Sequence, residues 1–211
     1  MISNIKTSCT GCGSCYSICP QNCINMDEDP PEGFLYPVIN EEKCTQCNSC
    51  KESCHALLYK DRKDTPLRIF AAKNLEDRIR KESSSGGIFT LLAEYILKDG
   101  GVFFGAKFNK NWVVVHDYIE TIEGLAAFRG SKYVQSVTGE TYKQTREFLL
   151  DGRKVLYSGT PCQISGLKSF LQKDYNNLLT LDFVCHGVPS PLVWKKYLND
   201  LLCKLSPPRI F

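Results

Sequence analysis

Cys9-x2-Cys12-x2-Cys15-x3-Cys19-Pro20 and Cys44-x2-Cys47-x2-Cys50-x3-Cys54-His55 are two copies of one pattern, offset by 35 residues. With only two units this is an internal duplication and not a solenoid. Around it, residues 1 to about 60 are short of apolar side chains, with isolated Ile, Leu, Tyr and Val, so a hydrophobic core of ordinary size cannot form there. Something other than apolar burial must hold this region together. Nine of the chain's 12 cysteines precede residue 55. Met1-Ile-Ser-Asn-Ile-Lys6 lacks the basic-then-apolar order of a signal peptide, and no stretch reaches the roughly 18 apolar residues of a membrane-spanning helix. The expectation is a cytoplasmic chain without a membrane span, and in a reducing compartment such a crowd of cysteines binds metal more often than it forms disulfides.

The spacing identifies the metal. C-x2-C-x2-C-x3-C-P is the run that holds [4Fe-4S] clusters in two-cluster ferredoxins: a tight loop places three thiolates on three irons of one cube, and the fourth cysteine has turned away to ligate the other cluster. The expected sets are therefore crossed, Cys9, Cys12, Cys15 and Cys54 for the first cluster and Cys44, Cys47, Cys50 and Cys19 for the second. His in place of Pro at position 55 loosens the second motif without removing a ligand. His55 itself reads as a turn residue or as a titratable charge near the first cluster. Zinc also takes Cys-x2-Cys pairs, but it gives no reason for four regularly stepped cysteines to occur twice. Cys23 lies outside both quartets and reads as a small buried hydrophobe.

From about Arg68 the texture changes. Arg68 to Lys73, Gly101 to Lys107 and Trp112 to Tyr118 read as strands, with a helix between the first two marked by Ile88, Leu91, Leu92, Tyr95 and Ile96 and stopped at Gly100. Thr138 to Leu150, Pro161 to Gln172 and Pro191 to Cys203 read as helices, and Lys154 to Tyr157 and Leu178 to Val184 as strands. The alternation predicts an α/β domain with a largely parallel sheet. The fold expected for the whole is an α+β ferredoxin-like two-cluster module over residues 1–61, then the α/β domain over 62–211. Ser206-Pro-Pro-Arg-Ile-Phe211 closes no element, which suggests a domain continuing past this chain.

Composition narrows the class further. Among 211 residues, 43% are hydrophobic and 23% charged, enough to build a core and stay in solution. The formal charge of +3 gives no field for nucleic acid or anionic lipid.

Four segments, Glu82-Ser-Ser-Ser-Gly-Gly-Ile-Phe-Thr90, Gly130-Ser-Lys-Tyr-Val-Gln-Ser136, Ser158-Gly-Thr-Pro-Cys-Gln163 and Phe183-Val-Cys-His-Gly187, together resemble the beta subunits of coenzyme F420 hydrogenases and dehydrogenases. The resemblance implies FAD or a related flavin beside the clusters. It also implies hydride exchange with a deazaflavin or another small-molecule donor or acceptor, and a redox partner such as a ferredoxin, hydrogenase or dehydrogenase subunit. Ser85, Gly86 and Gly87 would open a helix whose free N–H groups receive the flavin pyrophosphate, and Lys132 and Tyr133 would supply a cation and a covering ring. Read without the resemblance, the serine-glycine stretch is a linker and the Lys-Tyr pair an ordinary surface feature.

Cys162 and Cys185 fall at the carboxyl edge of two successive strands, where α/β proteins place ligands. The resemblance makes them ligands of a further cluster in a longer chain, completed by a Cys-x2-Cys pair that these 211 residues lack. A catalytic thiol at Cys162, favoured by the helix N-terminal field, and two plain buried cysteines are the other readings. Cys203, on an amphipathic helix, reads as core. The function expected is an iron-sulfur flavoprotein oxidoreductase, with a non-catalytic electron carrier as the alternative.

Overall fold

A computed structural model describes residues 6–58 and 68–205, so the expected division at 61/62 and the segment 206–211 lie outside the described residues. The cysteine-rich part carries two short helices, α1 (Ser14–Ile18) and α2 (Ser49–Glu52), and an antiparallel pair, β1 (Ile24–Glu28) and β2 (Leu35–Ile39). Its core is made of sulfur as much as carbon. Cys15, Cys19, Cys23, Cys54 and Ile24 are its buried members, with Tyr16, Met26, Ile39, Cys44, Cys50 and Ala56 packed around them.

The second part runs α3 (Asp77–Lys81), α4 (Ile88–Lys98), β3 (Val102–Phe108), β4 (Val114–Ile119), a 3-10 helix (Ile122–Phe128), α5 (Thr141–Leu150), β5 (Val155–Gly159), α6 (Pro161–Leu171), β6 (Leu178–Asp182) and α7 (Pro191–Leu205). Its four-stranded sheet has the order β4-β3-β5-β6. The β3/β5 and β5/β6 pairs are parallel and β3/β4 is antiparallel, which gives the mixed α/β fold with a mostly parallel sheet. Every residue of β5 is buried, as a central parallel strand covered on both faces requires.

Alternation along the central strands sorts the core. Val102, Phe104, Val155 and Tyr157 pack with Tyr142, Ile164, Leu167 and Phe170 of α5 and α6. Phe103 and Leu156 point the other way, onto Ala93, Ile96 and Leu97 of α4 and Leu125 and Phe128 of the 3-10 helix.

Two expectations are corrected. Residues 68–73 form no strand, and Ile69 is 91% and Phe70 72% exposed. A short apolar run is a strand only where a neighbour offers a hydrogen-bonding edge, and here it is Asn74, just past the segment, that reaches the turn before α4, by its N–H to the Gly86 carbonyl at 2.7 Å and its side-chain amide to the Gly87 carbonyl at 3.3 Å. Cys203 is exposed and none of α7 is buried. That helix is held at its start, where Trp194 stacks on Phe108 at 5.6 Å between centroids and its indole N–H reaches the Trp112 carbonyl at 2.7 Å.

The two parts meet through α1. Ile18 packs against the core formed by α5 and α6. Tyr16 donates to the Glu140 carboxylate, and the Leu35 N–H donates to Gln135 Oε1 at 2.9 Å. Thr138 Oγ1 reaches the Cys12 carbonyl at 3.4 Å.

Candidate metal centres

Each cysteine loop is turned by two residues in the left-handed region, and the turns repeat with the duplication. Gly11 (φ 65) and Gly13 (φ 79) of the first loop answer to Gln46 (φ 54) and Asn48 (φ 63) of the second. In both copies the second of these residues is the N-cap of the short helix that follows. The residues differ because their surroundings differ. A Cβ at Gly11 would stand 2.8 Å from the Leu35 carbonyl and one at Gly13 2.5 Å from Thr138 Oγ1. The first loop lies against the α/β part, where only glycine fits. Gln46 and Asn48 are exposed and keep their side chains.

The thiols gather around two spaces. Cys9, Cys12, Cys15 and Cys54 line one of about 330 Å³, with Thr10, Met26, Pro37 and His55 completing its wall. Cys19, Cys44, Cys47 and Cys50 line another of about 760 Å³, part of it open solvent, together with Cys23. Among the described residues no group of three or more His, Cys, Asp or Glu could hold a single metal ion; the sulfurs surround a volume.

Backbone N–H groups face those sulfurs at repeated positions, Ser14 on Cys12 and Tyr16 on Cys15 in one loop, Ser49 on Cys47 and Lys51 on Cys50 in the other. Gly11 N–H reaches Cys9 Sγ at 3.4 Å. Donors aimed at sulfur suit an anionic, sulfur-rich group, so this donor set fits a cluster in each space. Burial pushes the Cys12 thiol up to about 12 and raises Cys9 and Cys15 as well. Iron must therefore displace protons from all three.

Cys23 and Gly166 do not stand out in the sequence as site residues, and His55 does so in only one of its two readings. Cys23 is 5% exposed and its Sγ lies 3.4 Å from Cys19 Sγ. His55 is not a solvated turn residue: it is half-buried in the first wall, its Nε2 3.1 Å from Thr10 Oγ1, and burial lowers its pKa. Gly166 of α6 is where the first site rests on the α/β part, since a Cβ there would lie 2.9 Å from Cys12 Sγ.

The residues expected to hold a flavin divide into two loops that touch. Ser131 N–H and Oγ lie 3.0 and 3.2 Å from Ser84 Oγ, and Arg129 pairs with Glu82 at 2.6 Å. Ser85 and Tyr133 are exposed. Gly87 (φ 75) is the N-cap of α4, which has no side-chain cap.

The glycines also serve the chain itself: a Cβ at Gly86 would stand 2.9 Å from the Ala72 carbonyl and one at Gly87 3.0 Å from Asn74 Cβ. Lys132 points its ammonium at the Ala127 and Arg129 carbonyls, at 3.1 and 2.7 Å, and burial lowers its pKa to about 8.

Cys162 lies in the first turn of α6 with its Sγ 3.0 Å from Thr160 Oγ1, near enough to Cys12 for their charges to interact. Cys185 is exposed beyond β6.

The chain is similar to known proteins over most of its length. A 4Fe-4S dicluster domain matches residues 8–56. The beta subunit N-terminal and C-terminal domains of coenzyme F420 hydrogenase/dehydrogenase match 69–143 and 152–207. The chain is 27% identical over 199 residues to the coenzyme F420-dependent sulfite reductase of Methanocaldococcus jannaschii, covering 92% of this chain and 30% of that protein. It is 39% identical over 49 residues to one component of the Na(+)-translocating ferredoxin:NAD(+) oxidoreductase complex of Acetobacterium woodii, covering 23% of this chain and 13% of that one.

A solved structure, a xenon derivative of the F420-reducing [NiFe] hydrogenase complex from Methanosarcina barkeri, aligns with a TM-score of 0.47 at 21% identity, covering 61% of this chain and 47% of that one. The chain thus spans about a third of the sulfite reductase. Among the described residues no helix is long and apolar enough to cross a membrane. With both domains of one family matched in order behind a dicluster domain, the chain belongs to the coenzyme F420 hydrogenase/dehydrogenase beta subunit family.

Proposed function

We propose that this chain is the electron-transfer part of an oxidoreductase, with an outer [4Fe-4S] site on Cys19, Cys44, Cys47 and Cys50 and an inner one on Cys9, Cys12, Cys15 and Cys54. Each bound cluster would carry one electron, and a flavin would gather electrons in pairs for hydride exchange with a deazaflavin or another two-electron partner. The observation that carries this reading is the lining of the two spaces, which gathers each motif's first three cysteines with the other motif's last. Cys54 and Cys19 then stitch the duplicated halves together.

The inner site's own ligand, Cys12, rests on α6 against Gly166. Electrons would therefore pass between the exposed loop of Cys47 and the α/β part by way of the inner site. The coupling of both to a redox partner subunit is part of the same proposal, as is the division of the chain into an iron-sulfur module over 1–61 and an oxidoreductase domain over 62–211.

The flavin belongs in this reading beside Ser85, Gly86 and Gly87 at the start of α4, which no side chain caps, with Lys132 and Tyr133 on the loop that touches theirs through Ser131 and Ser84. A second reading, a carrier without flavin, is favoured by one observation: Gly86 and Gly87 already make room for Ala72 and Asn74, and the Lys132 ammonium is already bound to carbonyls. Valine at either glycine would disturb the fold before it disturbed a ligand. Ser85→Ala and Tyr133→Ala are the cleaner test, expected to lower the flavin released on denaturation while leaving iron unchanged.

For the clusters, anaerobic reconstitution should give about eight iron and eight sulfide per chain. Cys54→Ser should damage the cluster held by Cys9, Cys12 and Cys15. Damage confined to the other cluster would sink the crossed assignment.

A further inference from the structure

Five sulfurs, not four, line the outer space, and the fifth belongs to Cys23. Its position follows from the chain. Cys19-Pro20-Gln21-Asn22-Cys23 makes a tight bend, with Asn22 in the left-handed region (φ 46) and its N–H on the Cys19 carbonyl at 3.2 Å. The bend returns Cys23 beneath Cys19, at the head of β1, where it is 5% exposed. Its Sγ stands 3.4 Å from Cys19 Sγ and also faces Cys44. The Cys23 and Gln21 N–H groups are turned on the same Cys19 sulfur. The duplication contains no second such thiol, because 35 residues on from Cys23 stands Leu58.

We propose that Cys23 is a positioning residue of the outer cluster: it keeps its proton and donates an S–H···S hydrogen bond to the iron-bound sulfur of Cys19, raising the reduction potential of that cluster alone. The inference rests on the crossed ligand assignment above. With Cys19 bound to iron its sulfur carries no proton, so of the two only Cys23 can donate. The positive end of a donor at a ligand sulfur favours the state with one more electron, and such hydrogen bonds are among the terms that set cluster potentials. The effect is confined to one cluster, since Cys23 lines only the outer space. The difference between two clusters built on the same motif favours a fixed direction of electron flow between them.

The test uses the reconstituted full chain as wild type, Cys23→Ala and Cys23→Ser, with iron and sulfide analysis and a redox titration followed by electron paramagnetic resonance. All three proteins should hold about eight iron. One of the two reduction waves should move to lower potential in Cys23→Ala and return toward the wild-type value in Cys23→Ser, whose hydroxyl still donates, while the other wave stays in place.

Unmoved waves in Cys23→Ala would overturn the proposal, and so would an equal shift of both waves. A Cys23→Ser wave that stays with Cys23→Ala would assign the shift to packing and withdraw the donor. Loss of about half the iron in Cys23→Ala would make Cys23 a ligand instead. A wild type with about four iron and a single wave would defeat the two-cluster reading itself, which separates the two failures.

Discussion

At the scale of single residues, the two loops use the same backbone for different reasons, and substitutions should separate them. Gly11 must be left-handed and must also approach the Leu35 carbonyl and Gln135. Gly11→Ala therefore combines a left-handed penalty of about 1–2 kcal/mol with a close contact that backbone cannot relieve. It should lower the urea midpoint of the loaded protein and loosen the inner cluster. Gln46 has the left-handed geometry without the contact, so Gln46→Gly should be neutral or stabilising by up to ~1 kcal/mol.

A buried histidine gives a pH test. His116 lies between Ser136 Oγ (3.0 Å) and the Ser158 carbonyl (3.1 Å), stacked on Tyr157, and burial lowers its pKa to about 4. The unfolded chain takes up this proton first as pH falls through about 6.5. The stability is thus full above that pH and is lost as pH falls toward 4, by about 3 kcal/mol in all. Urea midpoints at pH 7 and pH 5 should diverge in wild type and draw together in His116→Gln. An unchanged divergence would assign the acid sensitivity to other groups.

At the scale of elements, α6 joins the two parts, and Gly166 is its point of contact. Alanine at a helical glycine position ordinarily gains about 1 kcal/mol. Here the added methyl would meet Cys12 Sγ at 2.9 Å, Cys12 Cβ at 3.0 Å and Tyr142 Oη at 3.1 Å. Gly166→Ala should therefore leave helix content intact while the inner cluster is lost faster, read as separate circular dichroism and iron-release rates. The strands and helices of the sheet were legible because their apolar periods run long, as in β3, β5 and α4. The Arg68 to Lys73 segment has the composition of a strand but no partner edge, and pairing is not written in a single segment. The eight cysteines proposed for the two clusters are picked out by spacing alone. Cys23 and Gly166 are not, since one depends on how a bend returns and the other on which helix covers the loop.

At the scale of the whole molecule, the duplication is symmetric in sequence and asymmetric in depth. The outer site carries exposed Cys47 with half-buried Cys44 and Cys50 and buried Cys19, while the inner site has half-buried Cys9, buried Cys15 and Cys54, and Cys12 covered by α6. Exposure to solvent governs how readily an oxidant or chelator reaches a cluster edge. Under a dilute iron chelator or mild oxidant, the wild type should lose iron in two phases, about four irons quickly from the outer site and the rest slowly. The resonance signal that survives the fast phase should be the one abolished by Cys54→Ser. A single phase, or early loss of that signal, would show that docking on α6 does not shelter the inner site. Gly166→Ala supplies the control: by lifting Cys12 from α6 it should bring the slow rate toward the fast one, leaving the outer cluster's rate where it was.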